Sequence, residues 1–314
     1  MKNFISVKDA LDPNQLASRA IEIKKNPYGS ASIGRNKVLG LIFFNSSLRT
    51  RMSTTRAAYN LGMQVMTLNV SSDLWQLEME DGAVMNQGNA EHVKEAIPVM
   101  SSYCDVLAVR SFPSLIDREK DYREELIGSF VRLVHCPIIN LESATLHPLQ
   151  SLTDLMTIRE HQVIEKPKVV LTWAPHVKPL PQSVANSFAQ WMVAANVNLT
   201  ITHPEKMNLD TQFSDGATVE TDQEYALQNA DFVYVKNWSS YNDYGKMIDA
   251  PNWMMTKAKL NLTNSAKLMH CLPVRRNVVI ADDAMDSDQS AIQELAANRL
   301  WAAQAVLTEI LRDL

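Results

Sequence analysis

Short apolar runs rich in β-branched residues alternate with amphipathic stretches along the whole chain. KVLGLIFF (37–44) predicts a buried strand, and the helix after it closes near Gly62, a C-terminal glycine stop. QVMTLNV (64–70), DVLAVR (105–110) and CPIINLE (136–142) predict further strands. Helical patterns lie between them at 90–103 and 123–134. The alternation then restarts. HPLQSLTDLMTIREHQVI (147–164) predicts a long helix with Pro148 in its first turn. Strands follow at 166–175, 197–204, 230–238 and 266–273, with a helix at 181–196. An amphipathic helix over 288–314 closes the pattern. Strand alternating with helix at this spacing predicts an α/β chain with two doubly wound parallel-sheet domains joined by interdomain helices. The expected division is 1–146 and 147–288, with 289–314 packing back onto the first domain.

Composition narrows the function. The 314 residues carry a net charge of −5, which argues against a broad nucleic-acid surface. No apolar run approaches the ~18 residues of a membrane span, and Lys8 and Asp9 fall too early for a signal peptide. Cys104, Cys136 and Cys271 are far apart and odd in number, as expected of reduced thiols in a cytoplasmic protein. No G-x-G-x-x-G, P-loop or G-x-S-x-G pattern is present.

The polar candidates recur at strand carboxyl ends: 45–50, 71–75, 110, 142–150, 174–176, 236–238 and 271–275. Ligand crevices of open α/β sheets lie there. In FFNSSLRTR, residues Ser46, Ser47, Arg49, Thr50 and Arg51 open a helix directly after a strand. Unpaired N–H groups, a positive dipole end and arginine forks suit a small phosphate compound. Residue types alone equally allow capping serines with solvated arginines.

SSLRTR (46–51), HPLQ (147–150) and HCLP (270–273) resemble, in order and separation, the signature of the aspartate/ornithine carbamoyltransferases. Leu48 stands where that family usually has a hydroxyl residue. The resemblance implies that Ser47, Leu48, Arg49, Thr50, Arg110 and Arg299 grip carbamoyl phosphate. His147 and Thr50 would polarise its carbonyl oxygen. Gln150 and the main chain at Cys271 and Leu272 would hold its nitrogen, with Pro148 and Leu149 in the same motif. His270 beside Cys271 suggests a thiol–imidazole pair, but alternation along the expected strand points the two to opposite faces.

Ornithine-specific members carry an aspartate after the AD strand, where it meets a free α-ammonium. Here that place is Lys236, which repels an ammonium and attracts a carboxylate. EAIPVM, ATLHPLQS, LTWAPH and MHCLPVRRN resemble the acylornithine branch. That branch implies Glu142, His176, Lys236 and Arg275 around an N-acyl-L-ornithine. It also implies a homotrimer in which Trp75 reaches a neighbouring subunit, and neither metal nor cofactor. Acetyl-using members carry glutamate at the position of Ala90, so the neutral Ala90 favours N-succinyl-L-ornithine over the N-acetyl compound. Plain ornithine and a non-catalytic anion-binding role are the alternatives. The sequence names no side-chain base for the attacking amine.

Overall fold

The structure, a computed structural model, describes residues 1–314. Its strands are β1 Val38–Phe43, β2 Gln64–Asn69, β3 Leu77–Glu78, β4 Glu91–His92, β5 Val106–Arg110, β6 Ile138–Glu142, β7 Lys168–Trp173, β8 Asn198–Thr202, β9 Thr218–Glu220, β10 Phe232–Lys236 and β11 Lys267–Met269. They form a four-stranded sheet β2-β1-β5-β6, a five-stranded sheet β11-β10-β7-β8-β9 and the small pair β3-β4. Every pairing is parallel. The central strands are buried almost without interruption, because helices cover both faces. In the first sheet the chain moves outward from β1 to β2 and returns on the other side at β5. In the second it runs β7 to β9 and returns at β10. Each sheet therefore has a topological switch point, β1/β5 and β7/β10, where ligand crevices open.

Helices Pro13–Lys25, Pro148–His161 and Ile292–Leu311 pack on one another, and the last also packs on Leu48–Asn60. The helix from Pro148 is buried on every side from Pro148 to Ile158. Its hydroxyls are satisfied along its own backbone: Thr153 donates to the Leu149 carbonyl at 2.7 Å and Thr157 to that of Thr153 at 2.9 Å. One core cluster of 51 buried residues runs through both sheets. No helix is long and apolar enough to cross a membrane.

Some boundaries shift from the sequence reading. The expected helix at 90–103 starts at Val93, because Glu91–His92 pairs with Leu77–Glu78. The one expected at 123–134 starts at Glu125, since Glu124 adopts left-handed backbone at φ 51°. The strand expected over 266–273 ends at Met269, and Leu272 turns at φ 55°. The last helix begins at Ile292. Helix Pro13–Lys25 adds to the expected elements, with Asp12 capping it by accepting from Asn14 N and Gln15 N. Gly62 sits at φ 82°, and a Cβ there would lie 2.6 Å from the Ala31 carbonyl, so only glycine closes that helix without strain.

A side-chain clasp joins the two sheets' layers. Arg118 donates to the Tyr241 carbonyl at 3.2 Å, and Tyr244 Oη donates to Asp121 at 2.9 Å. Tyr122 also donates to Gln182, which in turn donates to the Ser239 carbonyl at 2.8 Å.

Candidate active site

β1 hands over to helix Leu48–Asn60 through Ser47, whose hydroxyl caps the helix by accepting from Thr50 N at 3.3 Å. Arg110 ends β5 alongside. Its Nη1 donates to the carbonyls of Asn45 and Ser46 at 2.8 and 2.7 Å, and its Nη2 to Glu142 at 3.0 Å. The guanidinium lies over the Phe112 ring at 4.3 Å. The Arg110 side chain is buried and ion-paired, not solvated.

Glu142 ends β6 and also accepts from Ser183 Oγ at 2.9 Å. Its Oε2 lies 3.8 Å from His147 Nε2. The turn between Glu142 and His147 is held from below by the Glu124 carboxylate. That group accepts from Ser143 Oγ, Ala144 N, Thr145 N and Thr145 Oγ1. The left-handed backbone at Glu124 aims its carboxylate at these donors, a tertiary demand that helical periodicity does not reveal. His147 does not cap its helix by side chain. Burial, and then the positive charges of Arg299, Arg110 and Lys236, hold its imidazole well below the ordinary value, so it is neutral near pH 7.

Arg299 arrives from the last helix. It donates to Thr50 Oγ1 at 2.7 Å and to Gln150 Oε1, while Gln150 Nε2 donates to Asp154 Oδ1 at 2.7 Å. From the second sheet come Lys236, at the end of β10, and Cys271, just past β11. Lys236 is buried and donates to the Asn237 carbonyl at 2.9 Å. Burial lowers its pKa, while Cys271 and Glu142 pull it back up. Arg49, half-buried, has no hydrogen-bond or ion-pair partner in the chain. Burial lowers it too, with Cys271 raising and Arg110 lowering it further.

Arg49, Arg110, Arg299 and Lys236 therefore face the carboxyls of Glu142 and Asp154. Burial pushes Asp154 up to about 8, against the influence of Gln150, Arg299 and Tyr234. The balance is positive. Nε of Arg110, Nε of Arg299 and Nδ1 of His147 are buried without a partner, as expected of donors reserved for a ligand. Pro148 and Leu149 are buried beneath them.

The thiol–imidazole alternative fails for a different reason than alternation. His270 Nδ1 accepts from Leu272 N at 2.8 Å, so that nitrogen is occupied. Burial and then Lys236, Arg49 and His176 depress the imidazole, and burial raises the Cys271 thiol. A protonated thiol beside a neutral imidazole that already accepts a backbone proton is a poor nucleophile.

Several expected residues stand apart. His176 is half-buried with Nδ1 2.9 Å from the Lys178 carbonyl oxygen, and burial followed by Lys236 and Arg275 lowers its pKa. Arg275 is exposed. The Leu48 side chain is 68% exposed. Trp75 is 58% exposed and donates to Glu91 at 2.8 Å; Ala90, next to Glu91, is exposed and its N–H donates to the Gln76 carbonyl at 3.1 Å. A cavity of about 1030 Å³ lies beside the cluster rather than on it, lined mainly by residues within 70–94 and 111–133. Sequence reasoning missed Ser183, Asp154 and Glu124. For Asp154 a signal existed: it lies one turn beyond Gln150 on a helix with no exposed face. No group of three or more His, Cys, Asp or Glu side chains is arranged to hold a metal ion.

Fold and cluster together describe a two-domain α/β protein with a cluster of cationic side chains where the strand ends of both sheets meet. Residues 2–160 match the model of the carbamoyl-P binding domain of the aspartate/ornithine carbamoyltransferases, and residues 181–310 match that of the Asp/Orn binding domain. The chain belongs to the aspartate/ornithine carbamoyltransferase family. It is 47% identical to an N-succinylornithine carbamoyltransferase of Bacteroides fragilis (strain 638R), over all of both chains. It is 33% identical to an N-acetylornithine carbamoyltransferase of Xylella fastidiosa (strain Temecula1), over 99% of this chain and 98% of that one. Among solved structures it resembles a glutamate-to-alanine variant of N-acetyl-L-ornithine transcarbamylase complexed with carbamyl phosphate and N-succinyl-L-norvaline. The TM-score is 0.92 and the identity 32%, over 99% of this chain and 100% of that one.

Proposed function

We propose that the protein transfers the carbamoyl group of carbamoyl phosphate to the δ-amine of N-succinyl-L-ornithine, giving N-succinyl-L-citrulline and phosphate in arginine biosynthesis. The observation that carries this reading is the convergence of Arg299, Thr50 and Gln150 with Arg110, His147 and Lys236 at the joint strand ends. Ser47, Arg49, Thr50, Arg110 and Arg299 take the phosphate. Leu48 contributes its N–H at the helix N-terminus, where a hydroxyl is dispensable. Neutral His147 and Thr50 donate to the carbonyl oxygen as the amine attacks; one such donor is worth about 3 kcal/mol of transition-state stabilisation. The nitrogen of the carbamoyl group is held by Gln150 and the main chain at Cys271 and Leu272. As the new C–N bond forms, the C–O bond to phosphate breaks, and the amine proton leaves with phosphate.

Lys236, His176 and Arg275 take the α-carboxylate and acyl group, and Glu142 the ornithine moiety. A buried cation at Lys236 disfavours an unblocked α-ammonium. Ala90 leaves a neutral, small position for a succinyl tail, while neighbouring Glu91 is engaged by Trp75. We place the enzyme in the cytoplasm, as a homotrimer in which exposed Trp75 reaches a neighbouring subunit, working without metal or cofactor. The domain division 1–146 and 147–288 follows the two sheets.

A colorimetric ureido assay with carbamoyl phosphate and each of ornithine, N-acetylornithine, N-succinylornithine and aspartate tests the reading. Product is expected at highest kcat/KM from N-succinylornithine. Product from free ornithine alone would refute the role of Lys236, and none from any amine would favour a non-catalytic anion-binding protein. A second expectation concerns Ala90→Glu. Its added carboxylate lowers kcat/KM for the succinyl substrate by about tenfold relative to the acetyl one, a difference of ~1.4 kcal/mol. Unchanged selectivity would remove Ala90 from the acyl pocket.

A further inference from the structure

The roles assigned so far leave Asp154 unused, although it is a wholly buried carboxyl at the heart of the cluster. It forms no ion pair. Its Oδ2 is buried without a hydrogen-bond partner, and so is the nearby Tyr234 hydroxyl. Packing alone gives no reason for a carboxyl here, because an apolar side chain would fill the space without desolvating a polar group.

The geometry of Gln150 supplies a reason. The two ends of its amide differ chemically: the oxygen accepts and the nitrogen donates. Arg299, which has no acceptor, donates to Oε1 and also to Thr50. Asp154, one helical turn on, accepts from Nε2 at 2.7 Å. Arg299 has only donors, so it selects the orientation that brings the amide oxygen to the site. Asp154, accepting from Nε2, anchors the other end of the amide and so holds its plane. That oxygen keeps a second lone pair for another donor.

We propose that Asp154 is a positioning residue that fixes the Gln150 amide so that its carbonyl oxygen accepts from the nitrogen of the carbamoyl group. This rests on the carbamoyl-transfer reading above. Burial keeps Asp154 protonated up to about pH 8, and either protonation state leaves an oxygen to accept from Gln150.

The test compares the full chain with Asp154→Leu and Asp154→Asn, each with and without Gln150→Ala. Steady-state kinetics with carbamoyl phosphate and N-succinylornithine are combined with calorimetric binding of carbamoyl phosphate, which stays readable when turnover is low. Asp154→Leu removes the acceptor and is expected to lower kcat at least about tenfold and weaken carbamoyl phosphate binding, with KM for the acylornithine unchanged. Asp154→Asn keeps an acceptor and restores most of the loss. In the Gln150→Ala background neither substitution has a further effect, because the route through Gln150 is already cut. Equal losses in both backgrounds, or an Asn variant as impaired as the Leu variant, would overturn the positioning role alone. A wild-type protein that carbamoylates no amine would overturn the underlying reading, and this assignment with it.

Discussion

Arg110→Met is expected to lower kcat/KM for carbamoyl transfer by about a thousandfold and to destabilise the fold by about 3–5 kcal/mol. The two losses have different origins. On the proposed function, Arg110 contributes its buried, unpartnered Nε and part of its charge to the phosphate, so removing it strips a preorganised donor from the leaving group. It also neutralises Glu142, whose side chain is only 8% exposed, and ties the Asn45 and Ser46 carbonyls to the end of β5. Its removal leaves a buried carboxylate without its partner. The pair Arg110→Met with Glu142→Gln separates the effects. It recovers most of the stability, measured by chemical denaturation, and none of the activity. Recovery of turnover in the double variant would show that the arginine serves only to neutralise Glu142.

Stability should peak near pH 6.5 and fall on both sides. His147 and His270 have folded-state pKa values well below the ordinary 6.5, through burial and neighbouring cations. Below pH 6.5 the unfolded chain takes up protons at both positions while the fold does not. Stability therefore drops by about 1.4 kcal/mol per pH unit for each histidine. Asp154 acts in the opposite sense. Its folded pKa is about 8 against an ordinary 3.8, so the fold holds a proton that the unfolded chain has released. Its contribution is full below pH 3.8 and is lost at about 1.4 kcal/mol per unit as pH rises to 8. His176 and His203 are lowered as well and Glu124 is raised with Asp154, so below pH 6.5 the histidines outweigh the carboxyls and stability falls toward acid. Above it Asp154 sets the fall. Denaturation midpoints across pH 5 to 8 check the peak, and Asp154→Asn should flatten the alkaline side and steepen the acid side. A stability that falls steadily from pH 5 to 7 would contradict the neutral state of both imidazoles.

The sheets were legible because strands such as β1, β5 and β10 are covered on both faces and read as unbroken apolar runs. Arg110 and Lys236 were legible because each ends such a run. What escaped depends on partners distant in sequence. Glu124 interrupts a helical pattern to reach donors at 143–145, and the two-residue strands β3 and β4 carry no periodicity of their own. The strand assigned to 266–273 stops early because Leu272 turns, which apolar composition does not announce. Ser183 and Asp154 look like ordinary helix residues until Glu142 and Gln150 stand beside them.

Thr50 and Arg299 are 249 residues apart in the chain, yet one hydrogen bond joins them within the cationic cluster. During synthesis on the ribosome, both sheets can collapse before the segment bearing Arg299 emerges. The binding pocket is consequently among the last parts to be completed, and until then the growing polypeptide has exposed apolar surface on helices that await Ile292–Leu311.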